Sequence, residues 1–338
     1  MSSPSIVVTT DPLALTELGP RWDALVDSSS RLGPFPLSSW SRLWWRHLKP
    51  DHAELRLATV GRGEELVAVA PLWVGRDGDG SSTATFIGDA DVTDYTGPAV
   101  SSAAADVAAA LAIEVARREG AVLDCPSTPD DFGFGAALEK AAGDAGLVVE
   151  RMETEPAPVL DLPSDIESYF GALDKKERHE LRRKIRRFEN EIGPARLDRA
   201  NASSIEQHLE LFFGWHRKAP GDKAGFMTAE REAFFRAVAS DFMAQGTLAL
   251  DVLYGGDIPV AAGFSFVIGG TVYLYNSSLD PDRVRDSPGM VLLAGLIRRS
   301  IDDGLTRLDF LKGRERYKFQ LGGVARPLSS VRIHPAAT

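Results

Sequence analysis

The residues whose types and spacing could do chemistry begin where an apolar helical segment starts. Ser287, Pro288 and Gly289 open this segment, and two arginines, Arg283 and Arg285, stand just before it. A serine hydroxyl can accept a free helix N–H group, proline fits the first helical position, and glycine lets a ligand approach the backbone. Because free N–H groups and the helix dipole favour an anion, we predict a phosphate site here. An ordinary capped helix is the alternative.

A second candidate is one acid inside an apolar strand. Asp309 lies between Leu308 and Phe310, in a strand that should be interior. A buried carboxylate is costly unless it is paired or hydrogen-bonded, and burial raises the pKa of a carboxyl group. Asp309 is therefore a candidate general base or substrate anchor. A structural carboxylate, held by loop N–H groups or by Lys312, is the alternative.

The turn after this strand adds an aromatic hydroxyl and a cation. Tyr317 and Lys318 follow the turn at Gly313. A tyrosine there could protonate a leaving thiolate, and a lysine could hold a phosphate. A solvated helix start is the alternative.

An acidic loop in the first half is the candidate site for a cationic amine. It contains Asp89, Asp91 and Asp94, with Tyr95 directly after them. These acids stand where the second half has its two arginines, so the sign of the charge is reversed. We therefore predict the phosphate donor in the second half and an amine contact at Asp94 and Tyr95. A solvated acidic loop is the alternative.

Further candidates for substrate contact are Trp215, Tyr275 and Lys312. Trp215 closes a helix ahead of a lysine-bearing loop and could form an aromatic wall or pack in the core. Between the two halves, the segment from Lys175 to Arg187 predicts a strongly basic helix. Such a helix could contact phosphates of a large substrate or carrier, or it could be a solvated face.

Length and composition bound the class of protein. The chain has 338 residues, enough for two domains, and a net charge of -10, which argues against coating nucleic acid with its whole surface. A single cysteine, Cys125, excludes an internal disulfide framework, and His216 has no Cys or His partner at metal spacing, so no metal site is predicted. We expect no signal peptide, no membrane span and a cytoplasmic location.

The elements that must position these residues occur twice. Residues 55–70 can be laid over residues 248–263, each a strand, a glycine-bearing turn and a second strand. A helix, Gly120 and a strand in the first half match a helix, Gly304 and the strand of Asp309 in the second. This predicts an α/β protein built from a duplicated unit of helices, an antiparallel meander, a helix and a strand.

The passage that contains Asp309 resembles a known family. GNAT-superfamily acyltransferases of the CelD/BioF2-like group, which are related in architecture to the Fem peptidoglycan aminoacyltransferases, typically show Asp-Phe-x-x-Gly-x-x-x-Tyr-Lys after a long helix. The matching residues here are Asp309, Phe310, Gly313, Tyr317 and Lys318. The resemblance extends over nearly the whole chain, and it includes the basic helix. One departure concerns the pyrophosphate loop, which is usually glycine-rich in this family. The corresponding segment here, from Arg283 to Gly289, has only one glycine.

The resemblance implies a fold and a set of roles. It implies two tandem GNAT-like lobes, residues 1–160 and 161–338, each a mixed, mostly antiparallel sheet flanked by helices, with the donor site in the second lobe. Asp309 and Tyr317 would be catalytic, and no cofactor would be permanently bound. The residues expected to bind acetyl-CoA or another acyl-CoA co-substrate are Arg283, Arg285, Ser287, Gly289, Met290 and Lys318.

The predicted function is N-acyl transfer, with acetyl as the first candidate group. Its acceptor would be an amine on a small molecule or on a carrier. A Fem-like aminoacyltransferase that uses aminoacyl-tRNA is one alternative, which the basic helix favours and the acidic net charge disfavours. A catalytically silent accessory protein of polysaccharide or cell-envelope assembly is another, and the reduced donor loop favours it. The acceptor, the acyl length and the oligomeric state stay open.

Overall fold

The computed structural model describes residues 5–26, 31–62, 65–76, 78, 80–88, 91–100, 104–220 and 225–335. Asp89 lies outside the described residues. The chain divides into two compact units, the first formed by residues 1–156 and 326–338 and the second by residues 157–325.

Fourteen strands and eleven α-helices are defined within the described ranges. The strands are β1 Ser5–Thr9, β2 Glu54–Arg62, β3 Glu65–Arg76, β4 Ser82–Phe86, β5 Val122–Pro129, β6 Val148–Glu153, β7 Ala157–Asp161, β8 Ala195–Arg199, β9 Leu248–Gly255, β10 Ile258–Ile268, β11 Thr271–Leu279, β12 Arg307–Asp309, β13 Val324–Arg326 and β14 Leu328–His334. The helices are α1 Ala14–Glu17, α2 Gly19–Asp23, α3 Ser38–His47, α4 Ala105–Glu119, α5 Phe134–Asp144, α6 Ile166–Ala172, α7 Lys175–Glu191, α8 Ile205–Arg217, α9 Ala229–Ala244, α10 Pro288–Asp302 and α11 Arg316–Gln320. Two short 3-10 turns cover Asp130–Phe132 and Pro281–Asp286.

Each unit contains one seven-stranded sheet of the same layout. The strand orders are β1-β2-β3-β4-β5-β14-β6 and, read from its other edge, β8-β9-β10-β11-β12-β7-β13. In each sheet the fourth and fifth strands are parallel, β4 with β5 and β11 with β12, and the meander before them is antiparallel. The predicted fold class, two lobes with mixed, mostly antiparallel sheets flanked by helices, is confirmed.

The sixth strand of the first sheet, β14, comes from an unexpected part of the chain. The last strand, β14, pairs with β5 and β6 of the first unit, whereas the predicted boundary assigned residues 161–338 as a whole to the second lobe. The reason lies in its side chains: Leu328, Val331 and Ile333 are buried at 0%, 0% and 3% exposure. These apolar residues need a second layer, and the edge of β5 supplies the hydrogen-bonding partner for their strand.

The second sheet is covered differently on its two faces. On one face, α10 places Leu292 and Leu296 four residues apart against a core cluster with Leu308 of β12. On the other face, α8 and α9 bring phenylalanines onto the sheet; the ring of Phe212 lies 5.6 Å from that of Phe264. Because side chains alternate along a strand, the residue after Leu308 points away from the α10 core.

A partly buried ion pair in the first unit predicts how the free energy of unfolding depends on pH. Arg56 of β2 donates from Nε to Oε1 of Glu119 at 2.6 Å and from Nη2 to its Oε2 at 3.0 Å. This bond holds the pKa of Glu119 below its usual value, although partial burial opposes it. A lowered folded pKa gives stability that is present above the unfolded pKa of about 4.3 and lost as the pH falls through the folded value.

We expect Arg56→Met to lower the free energy of unfolding by about 1–2 kcal/mol at pH 7, because it leaves a half-buried carboxylate without its donor. The deficit should shrink at a second, acidic pH below the lowered folded-state pKa of Glu119, where its carboxyl group is protonated. Urea unfolding at both pH values measures it. Arg117→Met is the matched control: its side chain is 65% exposed beside Glu114 and should contribute little at either pH. An equal deficit at both pH values would rule out the ion pair as its cause.

The single cysteine and the membrane expectation of the sequence analysis can both be compared with the structure. Cys125 is buried and unbonded, and burial, followed by the charge of Asp124, raises the pKa of its thiol. Over the described ranges, no helix combines the length and the apolar character needed to cross a membrane.

Candidate functional site

The candidate site forms where the parallel ladder of the second unit ends. Strands β11 and β12 pair at only three positions, the last of which joins Tyr273 to Asp309. On its other side, β11 stays paired with β10 as far as Leu279. From residue 274 to 279, the side of β11 that faced β12 therefore has no neighbouring strand among the described residues. Such an edge offers backbone N–H and C=O groups to an extended, amide-bearing ligand.

A β-bulge lies beside this open edge. The register between β10 and β11 shifts between Phe264 and Ser265, which leaves Tyr275 as the extra residue of β11. The ring of Tyr275 is packed among the phenylalanines of this face, 5.4 Å from the ring of Phe235 and 6.3 Å from that of Phe264. Tyr275, a predicted substrate contact, thus lies at the irregular point of the strand.

Asp309 is buried where β12 ends. Its residue is 1% exposed, and its Oδ1 accepts a hydrogen bond from the backbone N–H of Leu311 at 2.8 Å. Leu311 has φ +58°, in the left-handed region that bulky residues seldom adopt. Three described non-glycine residues have positive φ, and two of them, Leu311 and Ser287, are at this site. Such conformations cost about 1–3 kcal/mol each, so the surrounding contacts must hold them.

Lys318 supplies contacts that hold this turn. Its residue is 3% exposed, and its Nζ donates to the carbonyl oxygens of Leu311 and Lys312 at 3.1 and 2.8 Å. The same Nζ lies 3.1 Å from Oε2 of Glu315. An ammonium group has three hydrogens, and these three contacts use them all. The sequence predicted a phosphate contact for Lys318, whereas its donors serve the chain's own backbone.

Tyr317 precedes this lysine and is half-buried against the core cluster of the second unit. Burial, followed by the negative charge of Glu315, raises the pKa of its hydroxyl. The phenol is protonated at neutral pH, as an ordinary tyrosine is, and the raised pKa makes it a weaker acid.

The start of α10 differs in one respect from the sequence prediction. Ser287 precedes the helix, but its hydroxyl makes no capping bond, so the predicted side-chain cap is wrong. The left-handed backbone of Ser287 instead turns its carbonyl oxygen toward the helix, where it accepts from Met290 and Val291 N–H at 3.1 and 3.3 Å. Pro288 has no N–H. Among the described backbone bonds none comes from the N–H of Gly289, so this group is open to a ligand.

Two cations stand in front of this helix start. Arg283 is half-buried and Arg285 is exposed, and within the described chain their guanidinium groups make no hydrogen bond or ion pair. The acid nearest the helix, Asp286, lies 4.0 Å from Arg187 of α7. Arg187 thus offsets the charge of Asp286, and the two arginines stand beside the positive end of the helix dipole.

The other predicted contacts are placed as follows. Trp215 is 8% exposed in α8, which packs on β10 and β11, and Lys312 is half-buried in the turn held by Lys318. Asp94 and Tyr95 belong to the first unit. Tyr95 is 1% exposed, and its ring face is covered by the guanidinium of Arg326 at 5.1 Å. The cation that meets Tyr95 therefore comes from the chain itself.

The sequence missed two features of this site. Nothing in a leucine predicts the left-handed conformation of Leu311, which depends on contacts with Asp309 and Lys318. A buried network also escaped notice: Asp251 of β9 is 0% exposed and lies between Arg199 of β8 and Arg299 of α10. An acid between apolar neighbours in a strand, the signal that marked Asp309, also marks Asp251. In the part of the chain that is described, no group of three or more His, Cys, Asp or Glu could hold a metal ion.

Comparison with protein families gives one match, and it covers this site. Residues 175–319 match the acetyltransferase (GNAT) domain. This segment runs from α7 into α11 and contains the helix start, the end of the ladder and the turn of Lys318. The second unit thus carries a GNAT-type acetyltransferase domain, which indicates an acyltransferase. None of the curated proteins matches the chain by sequence.

Solved structures share the two-lobed fold across nearly the whole chain. A conserved protein of unknown function from Bacteroides thetaiotaomicron is 15% identical with a TM-score of 0.60, covering 98% of this chain and 100% of that one. FemX is 12% identical with a TM-score of 0.60 and 96% coverage of both chains. The C-terminal domain of a putative lysylphosphatidylglycerol synthetase from Agrobacterium fabrum is 11% identical with a TM-score of 0.55, covering 95% and 92%. At these identities the similarity establishes the fold, two tandem GNAT-like lobes.

Proposed function

We propose that this protein is an N-acyltransferase that moves an acyl group, acetyl in the first instance, from acyl-CoA to an amine. One observation carries the proposal: the parallel ladder of the GNAT domain ends at Asp309, beside an open strand edge. A thioester donor with amide bonds in its arm can extend along that edge, as an added strand does. Its reactive carbonyl would then come to the buried carboxylate. Membership of the CelD/BioF2-like group and a cytoplasmic location are parts of this proposal.

The chemistry follows from the groups around the end of the ladder. The neutral amine attacks the thioester carbonyl carbon, and Asp309, directly or through a water, accepts the proton that the nitrogen loses. Free backbone N–H groups of β11 stabilise the oxyanion. The carbon–sulfur bond then breaks. The hydroxyl of Tyr317 gives its proton to the departing thiolate. The products are an amide and a free thiol. Asp309 then releases the amine's proton to solvent and the Tyr317 phenolate takes one back, so the protons balance and both groups return to their starting state.

The donor's phosphates are assigned to the start of α10. The open N–H of Gly289, the helix dipole and the guanidinium groups of Arg283 and Arg285 favour an anion there. Met290, which is half-buried against the core, and Ser287 complete the predicted contact set. We leave Lys318 out of the phosphate site, because its three donors are used within the chain.

The experiment that tests the donor is a thermal-shift titration with coenzyme A and acetyl-CoA. A ligand that binds the folded state at about 100 times its Kd stabilises it by about 2.7 kcal/mol. We expect a clear rise in Tm for the wild type and a binding constant weakened at least tenfold in Arg283→Gln/Arg285→Gln, because two charge-assisted contacts are lost. Arg298→Gln is the matched control, since Arg298 is an exposed arginine near the other end of the same helix.

Two outcomes would count against this donor. If neither coenzyme A nor acetyl-CoA changes Tm, acyl-CoA is not the donor. If both variants lose binding equally, the affinity reflects general positive charge and the site is not at the helix start. Acyl transfer itself is measured with acetyl-CoA and a panel of amines by release of free thiol.

A second candidate function is aminoacyl transfer from aminoacyl-tRNA. The observation that favours it is α7, which carries eight Lys or Arg residues, most of them exposed. This function predicts tRNA binding with a steep salt dependence that is lost when Arg182, Arg183 and Arg186 are replaced by glutamine. Salt-independent or absent tRNA binding would remove it.

A third candidate is a silent accessory protein of polysaccharide or cell-envelope assembly. It is favoured by the donor loop, which keeps one glycine, Gly289, where GNAT enzymes usually have more. This function predicts that coenzyme A, acyl-CoA and charged tRNA all leave Tm unchanged. A thiol-release rate above the uncatalysed background would exclude it.

A further inference from the structure

One concave feature of the acetyltransferase domain is lined only by residues with polar or charged side chains. It is a groove of about 340 Å³ between α7 and α11. Its lining residues are Lys176, Glu177, His179, Glu180, Lys184, Arg316 and Gln320. A gap left by poor core packing would expose apolar side chains, and a groove for a helix or an acyl chain would need them. This groove has none, so its occupant must be recognised by charge and hydrogen bonds.

The charge in the groove is positive and not neutralised by the chain. Lys176 and Arg316 are exposed and Lys184 is half-buried, and none of the three makes a hydrogen bond or an ion pair with another described residue. Of the two acids in the lining, Glu180 already accepts two bonds from Arg183 at 2.7 and 2.8 Å. The lining therefore has three Lys or Arg residues against two Glu, and one of these two acids is already bonded to Arg183.

Other cations of α7 have a structural role, because they contact residues outside the helix. Arg178 donates to the carbonyl oxygen of Phe170 at 3.2 Å, Arg182 lies 3.2 Å from a carboxylate oxygen of Glu167, and Arg187 reaches Asp286. These contacts tie α7 to its surroundings. The cations of the groove do no such work, although like charges around one cavity repel each other.

The positive charge of α7 contrasts with the negative charge of the rest of the chain. Helix α7 has eight Lys or Arg against four Glu, a net charge of +4, while the whole chain has -10, so the remaining residues sum to -14. A positive groove in an acidic protein attracts anions selectively and guides them to one place. Ammonium and guanidinium groups suit phosphate oxygens, and several cations suit more than one phosphate.

We propose that this groove binds a di- or polyphosphate group of a small ligand, at a site separate from the start of α10. The phosphate site follows from the groove's own charge. That its ligand is a substrate rests on the proposed acyl transfer, and the position supports it: α11 also contains Lys318, which holds the turn after Asp309. The α11 residues that line the groove, Arg316 and Gln320, are each two residues from Lys318.

The test is calorimetric titration with inorganic pyrophosphate. Because the start of α10 could also take up this anion, the titrations use the folded Arg283→Gln/Arg285→Gln protein as the background. We expect saturable binding at one site, weakened at least tenfold when Lys176→Gln and Lys184→Gln are added, because two charge-assisted contacts are lost. Arg316→Gln, on the other wall, should weaken it in the same direction.

The matched control is Lys175→Gln/Arg186→Gln in the same background. It removes two exposed cations of α7 that do not line the groove, and so makes the same change in net charge. Binding should change less than twofold. Equal weakening by the two pairs, or no binding in the background protein, overturns the proposal. Tighter binding of a short RNA, lost equally in both pairs, would also overturn it, because the partner would then be a polyanion spread over the helix.

The result is independent of the proposed activity, since pyrophosphate is neither donor nor acceptor. Binding in the groove without thiol release in any acyl-transfer assay would leave the phosphate site intact and remove the acyl transfer. Thiol release without pyrophosphate binding would do the reverse. Coenzyme A should not displace pyrophosphate from the groove of the background protein, because the donor's phosphates are assigned to the start of α10. Displacement would mean that the groove holds a phosphate of the donor, and it would overturn the separate site.

Discussion

Replacing Asp309 with asparagine is expected to lower the rate of acyl transfer by about 10²–10³-fold, the range of a lost general base. An asparagine has the same shape, and its Oδ1 can still accept the N–H of Leu311 that Asp309 now holds at 2.8 Å. It cannot accept a proton from an amine at neutral pH. The fold should therefore persist while the chemistry fails. The measurement is kcat by thiol release, with Tm recorded on the same sample.

Two further variants make this result interpretable. Asp309→Leu removes both the base and the acceptor, so it should also lower Tm, because the N–H of Leu311 then lacks its partner and its strained turn loses one support. Asp161→Asn is the matched control: it is the same change at an 83% exposed acid of the neighbouring strand β7, and it should leave kcat and Tm unchanged.

One outcome would assign Asp309 a different role. If Asp309→Asn keeps full activity while Asp309→Leu loses it, the carboxylate acts only as an acceptor that positions the turn. The base would then have to be another group, such as a water or the substrate itself. Loss of activity together with a large fall in Tm in Asp309→Asn would show that the charge is needed for folding.

Local sequence signals predicted most elements, because their causes are local. Residues 205–217 have apolar side chains at helical spacing and form α8, and the helical segment predicted to open at Ser287–Gly289 is observed as α10. The duplicated strand–turn–strand segments place the meander and the parallel fifth strand of both sheets. The repeat thus predicted the duplicated unit, and the two tandem lobes with mixed sheets followed from the family resemblance.

Long-range pairings were not visible in the sequence. Strand β8 has exposed or half-exposed residues and no clear alternation, so nothing local predicts it; it forms because β9 offers an edge. Strand β14 was likewise missed, since its partners β5 and β6 lie about half a chain away. A strand whose stability comes from a distant edge cannot be read from its own residues.

The site shows the same division between local and long-range causes. The spacing of Asp309, Tyr317 and Lys318 was sufficient to place all three around one turn, because they lie close in sequence. Their roles needed the structure. Lys318 is buried by the turn that it holds, and Ser287 turns its carbonyl rather than its hydroxyl toward the helix. Both depend on backbone conformations with positive φ, which a non-glycine residue does not signal.

The largest expected loss of stability follows from the buried carboxylate of Asp251. It is 0% exposed, and its Oδ2 lies 3.0 Å from Nη2 of Arg199, the residue opposite it on β8, while its Oδ1 accepts from Arg299 of α10. Arg299 also donates to the carbonyl oxygen of Leu197 at 3.0 Å. One acid thus joins an edge strand, a central strand and the helix that leads to the candidate donor site.

Removing that acid leaves two cations facing each other across a buried position. We expect Asp251→Asn to destabilise the protein by about 3 kcal/mol, the lower end of the cost of breaking a buried pair. The lower end applies because the side chains of Arg199 and Arg299 are 33% and 28% exposed and can turn toward water. For a unit of this size, Tm should fall by about 5–10 °C, which calorimetry measures.

Asp303→Asn is the matched control for this prediction. Asp303 is 49% exposed and lies 3.7 Å from Arg199, so its loss should cost about 0.5 kcal/mol or less. If both substitutions have equally small effects, the two arginines are stabilised by water and not by Asp251. Asp251 would then not join the three elements.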